Sequence, residues 1–191
     1  TVTVRYTTLD HGVQSYAYRI TEADQPGELQ VDKLIDHGVQ PGPCYGQLKR
    51  GEDITLDNGT VLRSADFVGP PQPGPDIVLF GDTRFVPSHA DFAACGPPRC
   101  VPTPADFAAG ADLMVHEATY GPEYPDKAQK YFHSTTTQAA ELARQAGVKK
   151  LVLTHFSARY DTDEKLAELL AGAQAIFPHT VLAADGATIG L

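Results

Sequence analysis

No apolar run in these 191 residues approaches the roughly 20 that a membrane-spanning helix needs, and the amino terminus has neither the basic start nor the apolar stretch of a signal peptide. Both absences point to the cytoplasm and away from a membrane. Cysteine is scarce. Cys44, Cys95 and Cys100 are an odd three, which excludes the paired framework of a small secreted domain and favours a reducing compartment. The pair Cys95-Gly-Pro-Pro-Arg-Cys100 has no second Cys or His pair at zinc-finger spacing, so it reads as a loop with no assigned role. Positive charge is in deficit too. Lys and Arg number 15 against 24 Asp and Glu, and a formal net charge of −9 argues against general affinity for nucleic acid, though not against a local basic patch. Lys49-Arg50 and Lys149-Lys150 are the short basic clusters. No initiator Met opens the chain; Thr1-Val2-Thr3-Val4-Arg5-Tyr6 alternates as a strand already in progress, which predicts a missing beginning.

With 42% hydrophobic and 20% charged residues, what is present suits one domain with a real core. Ser15 to Ile20 alternates again, so two strands are predicted around a bend at Asp10-His11-Gly12, with His11 at the corner. Pro26 is expected in the first turn of a short helix with Leu29, Leu34 and Ile35 on its apolar face and Gly38 as its stop. The segment from about 26 to 74 reads as a projecting arm. Pro-Gly-Pro at 41–43, a hairpin turn at Asn58-Gly59 and Gly-Pro-Pro-Gln-Pro-Gly at 69–74 leave too little apolar content for burial on both faces.

The remainder is α/β. Ile77–Phe80, Leu113–Val115, Leu151–Leu153 and Val181–Ala183 are predicted as buried strands, with helices between them. Thr135 and Gln138 form a capping box for a helix running to Gly147, and Asp161 with Glu164 is expected to cap another running to about Phe177. The pentapeptide Ala-Asp-Phe-Ala-Ala at 90–94 and 105–109 reads as a local duplication that lengthens a loop.

Three of the predicted strands end in residues that bind metal or move protons: Gly81-Asp82-Thr83, His116-Glu117 and Thr154-His155. Ligands gather outside the carboxyl ends of strands in open α/β sheets, so Asp82 and His155 are expected to face one another there, with His11 approaching from its corner. Each residue alone would be read as a structural histidine or a helix cap. Two imidazoles and a carboxylate converging on one edge are instead a zinc ligand set. Only one of His116 and Glu117 can face the site, because adjacent strand residues point to opposite faces. Glu117 beside His133 would orient that imidazole as a proton donor to a leaving oxygen.

The strings LDHGVQSYAYRI, QPGPCYGQLKRGE, DFVGPP, FGDTR, HEATY, HSTTTQAAELARQAGV and LTHFSARY, in this order, resemble ribonuclease Z of the metallo-β-lactamase superfamily over nearly the whole chain. The resemblance implies the C-terminal part of an αβ/βα sandwich spanning 1–191, with two metals at the edge where the halves meet. It implies a zinc-dependent endoribonuclease, a hydrolase that removes the 3′ trailer from precursor tRNA by two-metal phosphodiester hydrolysis. His11, Asp82 and His155 match three zinc ligands, Asp82 the bridging one, and Glu117 and His133 match the proton-donor pair. The arm, with Gly42-Pro43 as its Gly-Pro motif and Lys49 and Arg50 as phosphate contacts, resembles a tRNA exosite that acts across a homodimer. The family's H-x-H-x-D-H motif is absent, so two Zn2+ ions lack ligands here and the chain is expected to be an incomplete, inactive fragment that lacks an N-terminal half. Two alternatives stay open: a phosphodiesterase of the same fold with another substrate, and a non-catalytic tRNA-binding half-protein.

Overall fold

Strict alternation and a three-residue corner make the first part of the chain a hairpin. In the computed structural model, which describes residues 1–85 and 103–191, strands β1 (Val2–Asp10) and β2 (Gln14–Glu22) lie side by side. The chain divides into two compact units, Thr1–Thr21 with Pro75–Leu191, and Glu22–Gly74.

The unit Glu22–Gly74 holds helices α1 (Val31–Asp36) and α2 (Pro43–Lys49), the hairpin of β3 (Ile54–Thr55) and β4 (Val61–Leu62), and the single turn α3 (Ser64–Phe67). Contrary to the expectation of thin apolar content, it has its own core of Leu34, Val39, Leu48, Ile54, Leu62 and Phe67. Val39 comes from the loop after α1 and each of the others from a different short element, so no one stretch of sequence looks apolar. Pro26 does not open a helix: Gln25 is bridged to Gln72 in extended backbone, and the helix begins five residues later at Val31. Leu34 is buried there while Ile35 stays exposed.

In the other unit β5 (Asp76–Phe80) pairs antiparallel with β2, and β6 (Leu113–Glu117), β7 (Lys150–Thr154) and β8 (Thr180–Leu182) continue it in parallel, in the order β1-β2-β5-β6-β7-β8. Among the described residues, the helices of this unit are α4 (Pro104–Ala108), α5 (Pro125–Lys130), α6 (Thr136–Ala146) and α7 (Asp163–Gln174). Ala17, Val78, Phe80, Met114, Leu151 and Leu153 pack with Ala139, Ala140, Leu142, Ala143 and Ala173 into one core. The alanines matter because a methyl group lets a helix backbone approach the sheet closely. On the opposite face the rings of Tyr6, Tyr16 and Tyr18 follow one another at 5.8 and 6.3 Å, and Val2, Val4 and Leu79 are exposed.

Helix α6 begins where the capping box predicts, with Thr135 Oγ1 accepting from the Gln138 N–H and the Gln138 side chain accepting from the Thr135 N–H, and it stops at Gly147. Helix α7 differs. Its cap is Thr162, while Asp161 pairs with Lys165 at 2.7 Å, because a basic partner four residues on competes for the carboxylate. The second Ala-Asp-Phe-Ala-Ala copy does not lengthen a loop: it forms most of α4, with Phe107 and Ala108 buried in the core and the Phe107 carbonyl accepting from Arg19. The first copy, Cys95 and Cys100 lie outside the described residues. Among the described residues no helix is long and apolar enough to cross a membrane.

Candidate metal centre

The parallel strands deliver their functional groups at one edge. After β5 the chain presses against β2 at Gly81, where a Cβ would meet Ser15 Oγ at 2.9 Å and the Tyr16 carbonyl at 3.0 Å. The glycine therefore permits the approach in which the Ser15 hydroxyl donates to the Asp82 carbonyl at 2.8 Å, fixing the backbone that carries the carboxylate. At the end of β6 the two faces of the strand separate His116 from Glu117. His116 turns into the core, its ring 4.9 Å from that of Phe80, and burial holds its pKa below the ordinary imidazole value. Beyond β7, His155 takes a left-handed conformation with φ of 59°, uncommon for a residue with a Cβ and a frequent mark of functional positions.

Asp82 stands between two imidazoles. His11 Nε2 is 3.7 Å from Asp82 Oδ2, and His155 Nδ1 is 3.6 Å from Asp82 Oδ1. Both separations exceed hydrogen-bond length. Ligands about 2.0–2.1 Å from a tetrahedral zinc sit about 3.4 Å apart, so the separation of His11 Nε2 from Asp82 suits an ion between the groups better than a direct contact. The tautomer of His11 agrees with that use. Its Nδ1–H donates to the Phe132 carbonyl at 2.6 Å, and since a carbonyl only accepts, Nε2 keeps its lone pair. The donor set of nitrogen and carboxylate oxygen therefore fits a borderline-soft divalent metal.

His133 lies against the same place, and ligand atoms of His11, Asp82 and His133 fall within 4.8 Å of one another, as do those of Glu117, His133 and His155. Glu117 is a poor ligand in the second grouping because its oxygens are already committed. Oε1 accepts from the Ser134 N–H at 2.7 Å and the Thr83 N–H at 3.3 Å, and Oε2 from the Thr119 N–H at 2.9 Å. His133 Nδ1 stands 3.2 Å from Glu117 Oε1, which engages one ring nitrogen and leaves Nε2. The Ser134 hydroxyl donates to the Thr83 carbonyl at 2.6 Å, tying the start of α6 to the turn after β5.

The sequence points to His11, Asp82, His155, Glu117 and His133, and all five stand in this one cluster. It does not single out Thr119, whose hydroxyl touches three of them, although the period-two spacing from Glu117 is a signal for it. The part of Phe132 is played by a carbonyl, which no side-chain pattern reveals. Gly42, Pro43, Lys49 and Arg50 belong to the other unit, where Gly42 and Pro43 open α2 and Lys49 and Arg50 are exposed at its end. Arg50 Nε donates to Glu52 Oε1 at 2.8 Å.

No family model matches the chain. It is 44% identical over 183 residues to the ribonuclease Z of Geobacillus kaustophilus, an alignment covering 96% of this chain and 54% of that protein. Against the ribonuclease Z of Listeria monocytogenes it is 45% identical over 177 residues, covering 93% and 53%. The chain thus spans about half the length of the curated relatives it matches. Among solved structures, the metallo-β-lactamase fold protein YhfI from Bacillus subtilis superposes with a TM-score of 0.53 at 16% identity, covering 96% of this chain and 46% of that one. The short form of human tRNase Z gives 0.51 at 21% identity, covering 100% and 43%. Along nearly its whole length, then, the chain is homologous to ribonuclease Z, and its fold is that of the metallo-β-lactamase proteins.

Proposed function

We propose that the chain carries one side of a ribonuclease Z active site, which in the assembled enzyme removes the 3′ trailer from precursor tRNA with two zinc ions. The observation that supports this reading most is the Asp82 carboxylate standing between His11 and His155, with the Glu117–His133 pair beside it. Zinc bound there would supply Lewis acidity at the phosphate and water activation near neutral pH. His11, Asp82 and His155 would hold and orient that centre. Glu117 fixes the His133 ring through Nδ1, which leaves Nε2 to give a proton to the departing ribose oxygen.

Three ligands fill fewer than two four-coordinate sites. On this reading the ion pair is completed by side chains outside this chain, which has no H-x-H-x-D-H sequence. In the unit Glu22–Gly74, Gly42, Pro43, Lys49 and Arg50 would grip tRNA away from the cut, and the working assembly would be a cytoplasmic homodimer. The deciding experiment measures zinc content and cleavage of a labelled precursor tRNA, by this chain alone and after addition of the remaining part of a related ribonuclease Z. Inactivity alone with activity on complementation is the expected result. Unaided cleavage would overturn the ligand account, and failure of the complemented pair to cut would overturn the ribonuclease reading.

A further inference from the structure

The hydroxyl of Thr119, a buried residue, is a meeting point of three titratable side chains. Thr119 Oγ1 is 2.9 Å from Glu117 Oε2, 3.1 Å from His133 Nδ1 and 2.8 Å from His155 Nδ1. A hydroxyl has one proton and two lone pairs, so three contacts use its full capacity and leave little freedom in how they are arranged. The Glu117 carboxylate takes the proton, because the backbone N–H groups of Thr83, Thr119 and Ser134 already use its oxygens as acceptors. The two lone pairs of Thr119 then face two imidazole nitrogens, which must donate to be bonded.

We propose that Thr119 sets the tautomer of two histidines at once, holding the proton of both His133 and His155 on Nδ1. Nε2 becomes the working nitrogen of each ring. In His155 it is a lone pair free for a metal. In His133 it is the nitrogen that exchanges a proton with the leaving group, while Glu117 Oε1 at 3.2 Å shares the Nδ1 proton with the hydroxyl. Thr119 is a positioning residue, linking the metal-binding and proton-donating sides of the centre through a single oxygen. Its functional consequence rests on the reading of His133 and His155 above, whereas the tautomers are a property of this chain whether or not an assembled enzyme cuts RNA.

The test is long-range 1H–15N spectroscopy of the imidazole nitrogens in the chain, treated with chelator and held above the ordinary imidazole pKa of about 6.5. The wild-type chain is expected to show His133 and His155 protonated at Nδ1; protonation at Nε2 in either would overturn the proposal with no variant needed. Thr119→Val removes the hydroxyl at nearly constant shape and is expected to release His155 to the other tautomer, with a smaller change at His133, which keeps Glu117. Thr119→Ser is expected to restore the wild-type pattern at both rings. An unchanged His155 in folded Thr119→Val, or failure of Thr119→Ser to restore it, would show that the hydroxyl does not set the tautomers.

Discussion

His11 and Phe132, 121 residues apart in sequence, are joined by a 2.6 Å hydrogen bond from the imidazole Nδ1 to the backbone carbonyl. The carbonyl belongs to the residue just before His133, and Phe132 is itself left-handed with φ of 59°. One turn of backbone therefore orients a metal-ligand candidate and presents a proton-donor candidate.

Gly12→Ala should disturb both. Gly12 has φ of 73°, and a Cβ there would come within 3.1 Å of the Phe132 ring. A strained backbone of this kind costs about 1–3 kcal/mol, so the urea midpoint should fall without a change in m-value, and zinc affinity should fall with it. An unaltered midpoint would mean that the turn gives way freely.

Glu117→Gln tests the division of labour. The amide keeps the shape but sets an NH2 group among the N–H donors of Thr83, Thr119 and Ser134. Cleavage by the complemented enzyme should drop by about 10²–10⁴-fold, the usual range for a proton-transfer role, with zinc content unchanged. Zinc loss in proportion to activity would instead make Glu117 a ligand.

Much of this site was legible in the sequence because its parts sit at the ends of strands, where an apolar run stops and a chemically able residue follows. Asp82, Glu117 and His155 were found that way. Thr135 and Gln138 gave the start of α6 because a capping box is a local interaction, written within four residues. What could not be read was set by distant partners. The core of Glu22–Gly74 gathers single side chains from separate short elements. Thr119 looks ordinary until β6, β7 and α6 bring Glu117, His155 and His133 around it.

His116 should make the fold acid-sensitive. Burial lowers its folded pKa beneath the unfolded value of about 6.5, so as pH falls the unfolded chain takes up the proton first. Stability is then lost from about pH 6.5 down to the depressed folded value, by up to about 1.4 kcal/mol per pH unit. His116→Gln cannot charge, and its urea midpoint should fall less steeply than that of the wild type over this window. Parallel curves would place the acid sensitivity elsewhere.

The exposed face of β1 and β2 should drive association. Val2, Val4, Tyr6 and Tyr18 lie open on a strand pair at the edge of the sheet, a combination that recruits other chains. Sedimentation should show mass rising with concentration, and Val4→Lys with Tyr18→Lys should restore a monomer. A wild-type monomer at high concentration would refute the expectation.

Lys49 and Arg50 are expected to differ as phosphate contacts, because Arg50 is held by Glu52 and Lys49 has no such partner among the described hydrogen bonds and ion pairs. Lys49→Ala should weaken tRNA binding and reduce its salt slope by about 1. Glu52→Gln should strengthen binding by freeing the guanidinium. Salt slopes unaffected by either change would remove these residues from the RNA contact.

The pairing of β2 with β5 ends at Thr21 and Asp76, where the Thr21 hydroxyl donates to Asp76 Oδ1 at 3.1 Å and Arg19 grips the same carboxylate. The 53 residues of Glu22–Gly74 leave and return between these anchored positions. The loop-closure entropy of the insert is therefore met by the sheet, and it grows only with the logarithm of length. Evolution can lengthen, shorten or exchange such an insert at little thermodynamic cost to the sheet that carries the candidate metal centre. The insert and the sheet can in that way change along separate lines of descent.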